Sequence, residues 1–172
     1  MKKKPIVVTM GDPSGIATEI ILKSWLNRKK EKLYPFFLVD NYERVKKVIK
    51  YFNLKIKLKK INNADEVQFY FSDCFPVYNI GKIINYKLSE PKKQNSKFII
   101  ESIKTSFDMV CSNQAVGMIT LPVCKKTLKE YGFKFNGQTE FIGELSRQKI
   151  DTSSNEIMIL STVKPEDKGK NL

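Results

Sequence analysis

Apolar residues along this chain fall into two rhythms that take turns, short β-branched runs and longer stretches at helical spacing. Pro5-Ile-Val-Val-Thr-Met10 shows no polar alternation, as expected of a strand covered on both faces near the centre of a sheet. Gly11-Asp-Pro-Ser-Gly15 breaks that run, and Ile16, Ile20, Ile21 and Trp25 then recur at helical spacing toward Arg28. Residues 36–39 predict a second strand, while Val45, Val48, Ile49 and Phe52 mark one face of a helix over residues 42–52. Strand alternating with helix predicts an α/β sheet.

From Leu54 to Tyr86 the rhythm changes. Residues 55–61 and 67–71 read as short strands of a β-rich excursion, followed by irregular chain around Pro76 and Gly81. Helical spacing returns over residues 95–110 through Phe98, Ile99, Ser102, Ile103, Ser106 and Val110, and residues 115–120 form the next strand. A helix over residues 125–131 stops at Gly132, where a left-handed backbone suits glycine. Another spans residues 139–148, with Thr139 as its N-cap and Glu140 and Glu144 complementing the positive end of its dipole. Residues 156–161 predict a last strand. These elements divide the chain into an α/β domain over residues 1–120, the start of a second domain over 121–162 and a polar tail over 163–172.

Composition narrows the picture. With 172 residues, 41% of them hydrophobic, the chain has the length and apolar content for a compact core. Its apolar runs are too short to cross a bilayer, so a cytoplasmic protein is expected. Cys74, Cys111 and Cys124 are odd in number and form no CxxC pair, which points to reduced thiols rather than disulfides or a thiolate metal site. A net charge of +13 invites a nucleic-acid reading. Against it, the excess is almost all lysine scattered along the chain, with Arg28, Arg44 and Arg147 the sole arginines. No specific nucleic-acid partner is therefore expected.

Two segments are placed to carry chemistry. Gly11, Asp12, Ser14 and Gly15 lie between a strand and a helix, where free amides and the helix dipole hold anions; the residues alone favour a plain structural turn, and their position at a strand's carboxyl end favours function. The segment is neither a GxGxxG fingerprint nor a phosphate loop with its Lys-Ser/Thr pair. The second segment, Thr120-Leu-Pro-Val-Cys-Lys125, also follows a strand and leads to Gln138 and Thr139, for which loop and cap is the plain reading. Asp12 and Glu140 form a carboxylate pair only if their loops converge. The chain contains no histidine, which excludes imidazole acid/base chemistry and a histidine metal site within it.

In sequence, Thr9-Met-Gly-Asp-Pro-Ser-Gly-Ile16, Ile119-Thr-Leu-Pro-Val-Cys-Lys125 and Gly132-Phe-Lys-Phe-Asn-Gly-Gln-Thr-Glu-Phe141 resemble the signatures of the 4-hydroxythreonine-4-phosphate dehydrogenase family. Glu156-Ile-Met-Ile-Leu160 fits the strand that follows them there. The resemblance implies a three-layer α/β sandwich of the isocitrate/isopropylmalate dehydrogenase type, incomplete here, with helices on both faces of a mostly parallel sheet. It also implies an NAD-dependent, metal-assisted oxidation of 4-phosphooxy-L-threonine with decarboxylation, in pyridoxal phosphate (vitamin B6) synthesis, by a homodimer.

By position, Gln138 and Thr139 fall on the family's His-Thr pair that contacts substrate. Glutamine keeps a donor and an acceptor but cannot change charge near neutral pH. Ala17 and Thr18 stand where the family commonly has Gly-Pro. The family's metal-binding histidines have no counterpart in this sequence. The resemblance thus implies either a dehydrogenase whose remaining half comes from a second polypeptide, or a catalytically inactive, truncated remnant that binds a ligand or partner.

Overall fold

The computed structural model describes residues 4–81 and 84–150, together with residues 157 and 159. The strand expected over residues 156–161 and the polar tail over 163–172 lie outside the described residues, apart from those two positions. Strand β1 (Ile6–Thr9) leads through the glycine loop to helix α1 (Ala17–Leu26), then to β2 (Phe36–Asp40) and α2 (Tyr42–Tyr51). Next come β3 (Leu58–Ile61), the short helix α3 (Val67–Tyr70), β4 (Phe75–Asn79) and the long helix α4 (Ser96–Cys111). The chain continues through β5 (Gly117–Ile119), α5 (Lys125–Glu130) and α6 (Gln138–Ile150).

The five strands form one sheet in the order β3-β4-β2-β1-β5, and every pairing is parallel. Successive side chains of a strand point to opposite faces, and all of Phe36–Asp40 is buried, so both faces of β2 are covered. Strand β1 is internal but not central, since β2 holds the middle position. Two hydrophobic clusters fill the layers. One gathers Val7, Trp25, Phe37, Val45 and Phe75, and the other gathers Met10, Ile99, Ile103, Leu128 and Phe141. Ser102 of α4 joins the layers to the sheet: its hydroxyl donates to the Val39 carbonyl at 2.8 Å and accepts from the Met10 N–H at 3.0 Å.

Three sequence expectations are corrected. Residues 67–71 are helical rather than a strand, because Asn63 and Glu66 form a capping box that starts a helical turn just ahead of them. The chain around Pro76 is not irregular but strand β4, and the supposed excursion supplies two strands of the same parallel sheet. Phe75 N–H donates to the Lys57 carbonyl at 2.7 Å, so Pro76 faces β2, whose ladder starts only at Val77; its missing N–H costs no ladder bond. Finally, α1 is rotated from the expected face. Ile21, Leu22 and Trp25 are buried, while Ile16 and Ile20 are 61% and 39% exposed. The Trp25 indole N–H anchors that rotation by donating to the Phe71 carbonyl at 3.1 Å.

Candidate functional site

The order of strand addition switches sides at β1: β2 lies next to β1 on one side, whereas β5 joins, also parallel, on the other. In an open parallel sheet such a switch point opens a crevice at the carboxyl ends of the strands. The two sequence motifs are the loops that leave β1 and β5, so they meet there. The Leu121 N–H donates to Thr9 Oγ1 at 3.1 Å, and the Asp12 N–H donates to the Pro122 carbonyl at 2.9 Å. Gly11 makes the approach possible. Its φ is +65°, and a Cβ there would lie 2.5 Å from Ala17 Cβ and 2.8 Å from the Pro122 oxygen.

Within the first loop Asp12 is buried and accepts from the Ser14 N–H at 2.8 Å, closing a local turn; the Gly15 N–H reaches the Asp12 carbonyl at 3.1 Å. Asp12 thus holds the loop's shape. Ser14 is also buried, its carbonyl accepting from the Ser89 N–H at 2.8 Å, and its Oγ has no partner.

Helix α6 enters the same place. The Gly137 carbonyl accepts from the Phe141 N–H at 3.3 Å, so the helix starts at Gln138 and Thr139 is not its N-cap but an exposed residue of its first turn. Glu140 reaches back to the Asn136 N–H at 2.8 Å, while Glu144 turns to Arg147 and Gln148. Asp12 and Glu140 are therefore each bonded elsewhere and do not pair. Phe133, Phe135 and Phe141 meet edge-on or tilted, with ring centroids 5.1 to 5.2 Å apart, at the approach to α6.

Gln138 Nε2 donates to the Leu121 carbonyl at 3.2 Å. That bond sets the orientation of the amide, since the flipped form would oppose two oxygens. Gln138 Oε1 is left buried with no partner. Lys125 and Gln138 line one crevice of about 10 Å³, room for little more than a water. Thr120 is exposed at the end of β5.

Sequence reasoning missed the support beneath the first loop. Arg44, 2% exposed, pairs with the fully buried Asp40 through Nε at 2.9 Å and through Nη2. It also donates to Thr18 Oγ1 at 2.7 Å and to the Pro13 carbonyl at 3.4 Å, joining β2, α2, α1 and the loop. Burial pushes the Asp40 carboxyl above its ordinary pKa against the opposing pull of Arg44. The available signal was the four-residue spacing of Asp40 and Arg44 across a strand-to-helix junction, which looks like an ordinary surface pair.

Among the described residues, no group of three or more Cys, Asp or Glu side chains is placed to hold a metal ion, and the chain has no histidine. The described residues do not fit a metal centre. No helix among the described residues is long and apolar enough to cross a membrane.

The family model of the pyridoxal phosphate biosynthetic protein PdxA matches residues 32–164. The 4-hydroxythreonine-4-phosphate dehydrogenase of Zymomonas mobilis is 32% identical over 139 residues, 81% of this chain and 40% of that protein. The Methylorubrum populi enzyme of the same name is 30% identical over 148 residues, 85% of this chain and 42% of that protein. In three dimensions, the chain resembles the 4-hydroxythreonine-4-phosphate dehydrogenases of Burkholderia phymatum and Klebsiella pneumoniae. Their TM-scores are 0.75 and 0.73, at 20% and 24% identity, covering 84% of this chain and 44% and 45% of theirs. The chain thus spans less than half the length of the relatives it matches.

Proposed function

From the premise that this chain belongs to the PdxA family of pyridoxal phosphate biosynthetic proteins, we propose that it forms the substrate-gripping part of a 4-hydroxythreonine-4-phosphate dehydrogenase. The observation that carries the reading is the junction of the two motif loops with α6, which leaves two buried polar atoms, Ser14 Oγ and Gln138 Oε1, without partners. A buried polar atom costs stability unless it is satisfied, and a ligand is one way to satisfy it. Gln138 Oε1 is an acceptor that a substrate hydroxyl or ammonium could satisfy; Ser14 Oγ both donates and accepts.

The reaction proposed is oxidation of the hydroxyl of 4-phosphooxy-L-threonine by NAD, followed by loss of carbon dioxide from the keto acid. In such an enzyme NAD would supply the hydride acceptor and a divalent metal would supply polarisation of the reacting oxygen. Among the described residues no side-chain cluster suits a metal. Their part is to bind and orient: Gln138 and Thr139 toward the reacting end, with the Gly11, Asp12, Ser14, Gly15 loop and the Thr120 and Lys125 segment framing the crevice. The partner that completes the site is a second copy of the chain or a polypeptide bearing the remaining part of the enzyme.

A second reading is a chain that binds without catalysing, favoured by the lack of any histidine. Spectrophotometric NAD reduction with 4-phosphooxy-L-threonine and a divalent metal separates the two. The chain is assayed alone and mixed with the carboxyl-terminal half of a relative such as the Zymomonas mobilis enzyme. Turnover only in the mixture supports the first reading. Silence in both, with substrate binding retained, supports the second, and absence of substrate binding sinks both.

A further inference from the structure

Away from the motif loops, two clefts of 710 and 610 Å³ adjoin at the carboxyl ends of β2 and β4, sharing Lys47, Ile84 and Tyr86 in their walls. Each lies in the size range of small-molecule sites, about 300–1,000 Å³. The larger is the more apolar, with Val48, Tyr51, Ile84 and Leu88 beside Asn85 and Lys87; the smaller carries both Lys47 and Lys60.

A buried ion pair stands behind the wall between them. Arg44, locked by Asp40, places its guanidinium 5.5 Å from the centre of the Tyr86 ring. Burial raises the Tyr86 pKa from a value already well above neutrality, and its hydroxyl is a donor at neutral pH. The start of α2 adds no free capping group, since Asn79 Oδ1 takes the Tyr42 N–H at 3.0 Å and Asn41 Oδ1 takes the Arg44 N–H at 2.8 Å. Attraction for an anion therefore rests on Lys47 and Lys60, which form no ion pair among the described residues, set against Glu43 in the same cleft.

From this juxtaposition we propose that the paired clefts bind a phosphate monoester carried on a flat ring, of the nucleoside monophosphate class, with the ring along Tyr86 and Tyr51 and the phosphate between Lys47 and Lys60. The site is separate from the crevice at β1 and β5 and does not rest on the function proposed for that crevice. An apolar trough ending in two cations selects for both parts of such a molecule. The bare ring lacks the charge and the bare phosphate lacks the stacking surface, so each binds at least tenfold more weakly than the two combined.

The test is calorimetric titration of the whole chain with AMP, adenosine and inorganic phosphate. Lys47→Ala/Lys60→Ala is compared with Lys46→Ala/Lys50→Ala, which removes the same charge from exposed positions of α2 outside the clefts. Circular dichroism checks that both variants keep the fold. The expected result is one AMP per chain, bound at least tenfold more weakly by the first variant and unchanged in the second. No binding of AMP at roughly millimolar concentration, equal loss in both variants, or affinity for adenosine or phosphate equal to that for AMP would overturn the proposal. So would displacement of AMP by 4-phosphooxy-L-threonine at concentrations at which inorganic phosphate leaves AMP bound, since that would place AMP in the other crevice.

Discussion

Gln138 donates its side-chain amide to the main-chain oxygen of Leu121 across 3.2 Å, tying the first turn of α6 to the loop that leaves β5. The same amide leaves its oxygen buried and unpaired. One side chain thus contributes a structural bond on one side and an unmet acceptor on the other.

Replacing Gln138 with leucine separates these roles. The lost bond costs about 0.5–1.5 kcal/mol, and removing the unpaired oxygen recovers a similar amount, so stability should change by less than about 1 kcal/mol. Binding of 4-phosphooxy-L-threonine should weaken roughly tenfold, about 1.4 kcal/mol. Urea unfolding and calorimetry read the two effects. Unchanged affinity in Gln138→Leu would remove Gln138 from the substrate contacts.

Gly11→Ala should cost roughly 2–4 kcal/mol, since the new methyl meets both a left-handed backbone and the packed second loop. A Cβ at φ +65° would lie 2.5 Å from Ala17 Cβ and 2.9 Å from Leu121 Cβ. By contrast, Gly132→Ala, also at positive φ (+98°), meets nothing within 4 Å and should carry the backbone cost alone. Equal losses for the two in chemical denaturation would show that the close approach at Gly11 is not limiting.

The first strand and its loop, α2 and α4 were legible because their apolar spacing coincides with the face they bury: Val45, Val48 and Ile49, or Phe98, Ile99 and Ile103. Strand β4 was not, because Pro76 looks like a breaker until its neighbour ladder is known. Helix α3 was hidden by strand-forming residues whose fate is decided by a cap upstream. At the site, the two motif loops could be named from sequence, but their meeting depends on the order of strands, which no local pattern encodes. Ser102 could be placed on the packed face of its helix, but its bonds, like those of Arg44 to Thr18 and Pro13, were hidden for the same reason: the partners lie on other elements.

Ser102→Ala tests the bridge from α4 to the ends of β1 and β2. The Met10 N–H and the Val39 carbonyl lose the same hydroxyl at once, in a place where Ser102 is fully buried. Leaving buried polar groups unpaired costs about 1–3 kcal/mol each, so a loss of roughly 2 kcal/mol or more is expected in urea unfolding. A loss below about 0.5 kcal/mol would mean that both groups find other partners.

Arg44→Met removes the charge that offsets Asp40 and with it the bonds to Thr18 and Pro13. Breaking one half of a buried ion pair costs about 3–5 kcal/mol, because the remaining carboxylate is stranded without water. The double variant Arg44→Met/Asp40→Leu takes both charges away and should regain most of that loss, since an apolar pair of similar volume avoids the desolvation of both ions. What it does not regain is the grip on the first loop, because the bonds from Arg44 to Thr18 Oγ1 and the Pro13 carbonyl stay broken. Stability recovered in the double variant together with faster amide exchange at Ser14 and Gly15 is the expected outcome. Exchange at those amides equal to that of the unaltered chain would mean that Arg44 supports the core and not the loop.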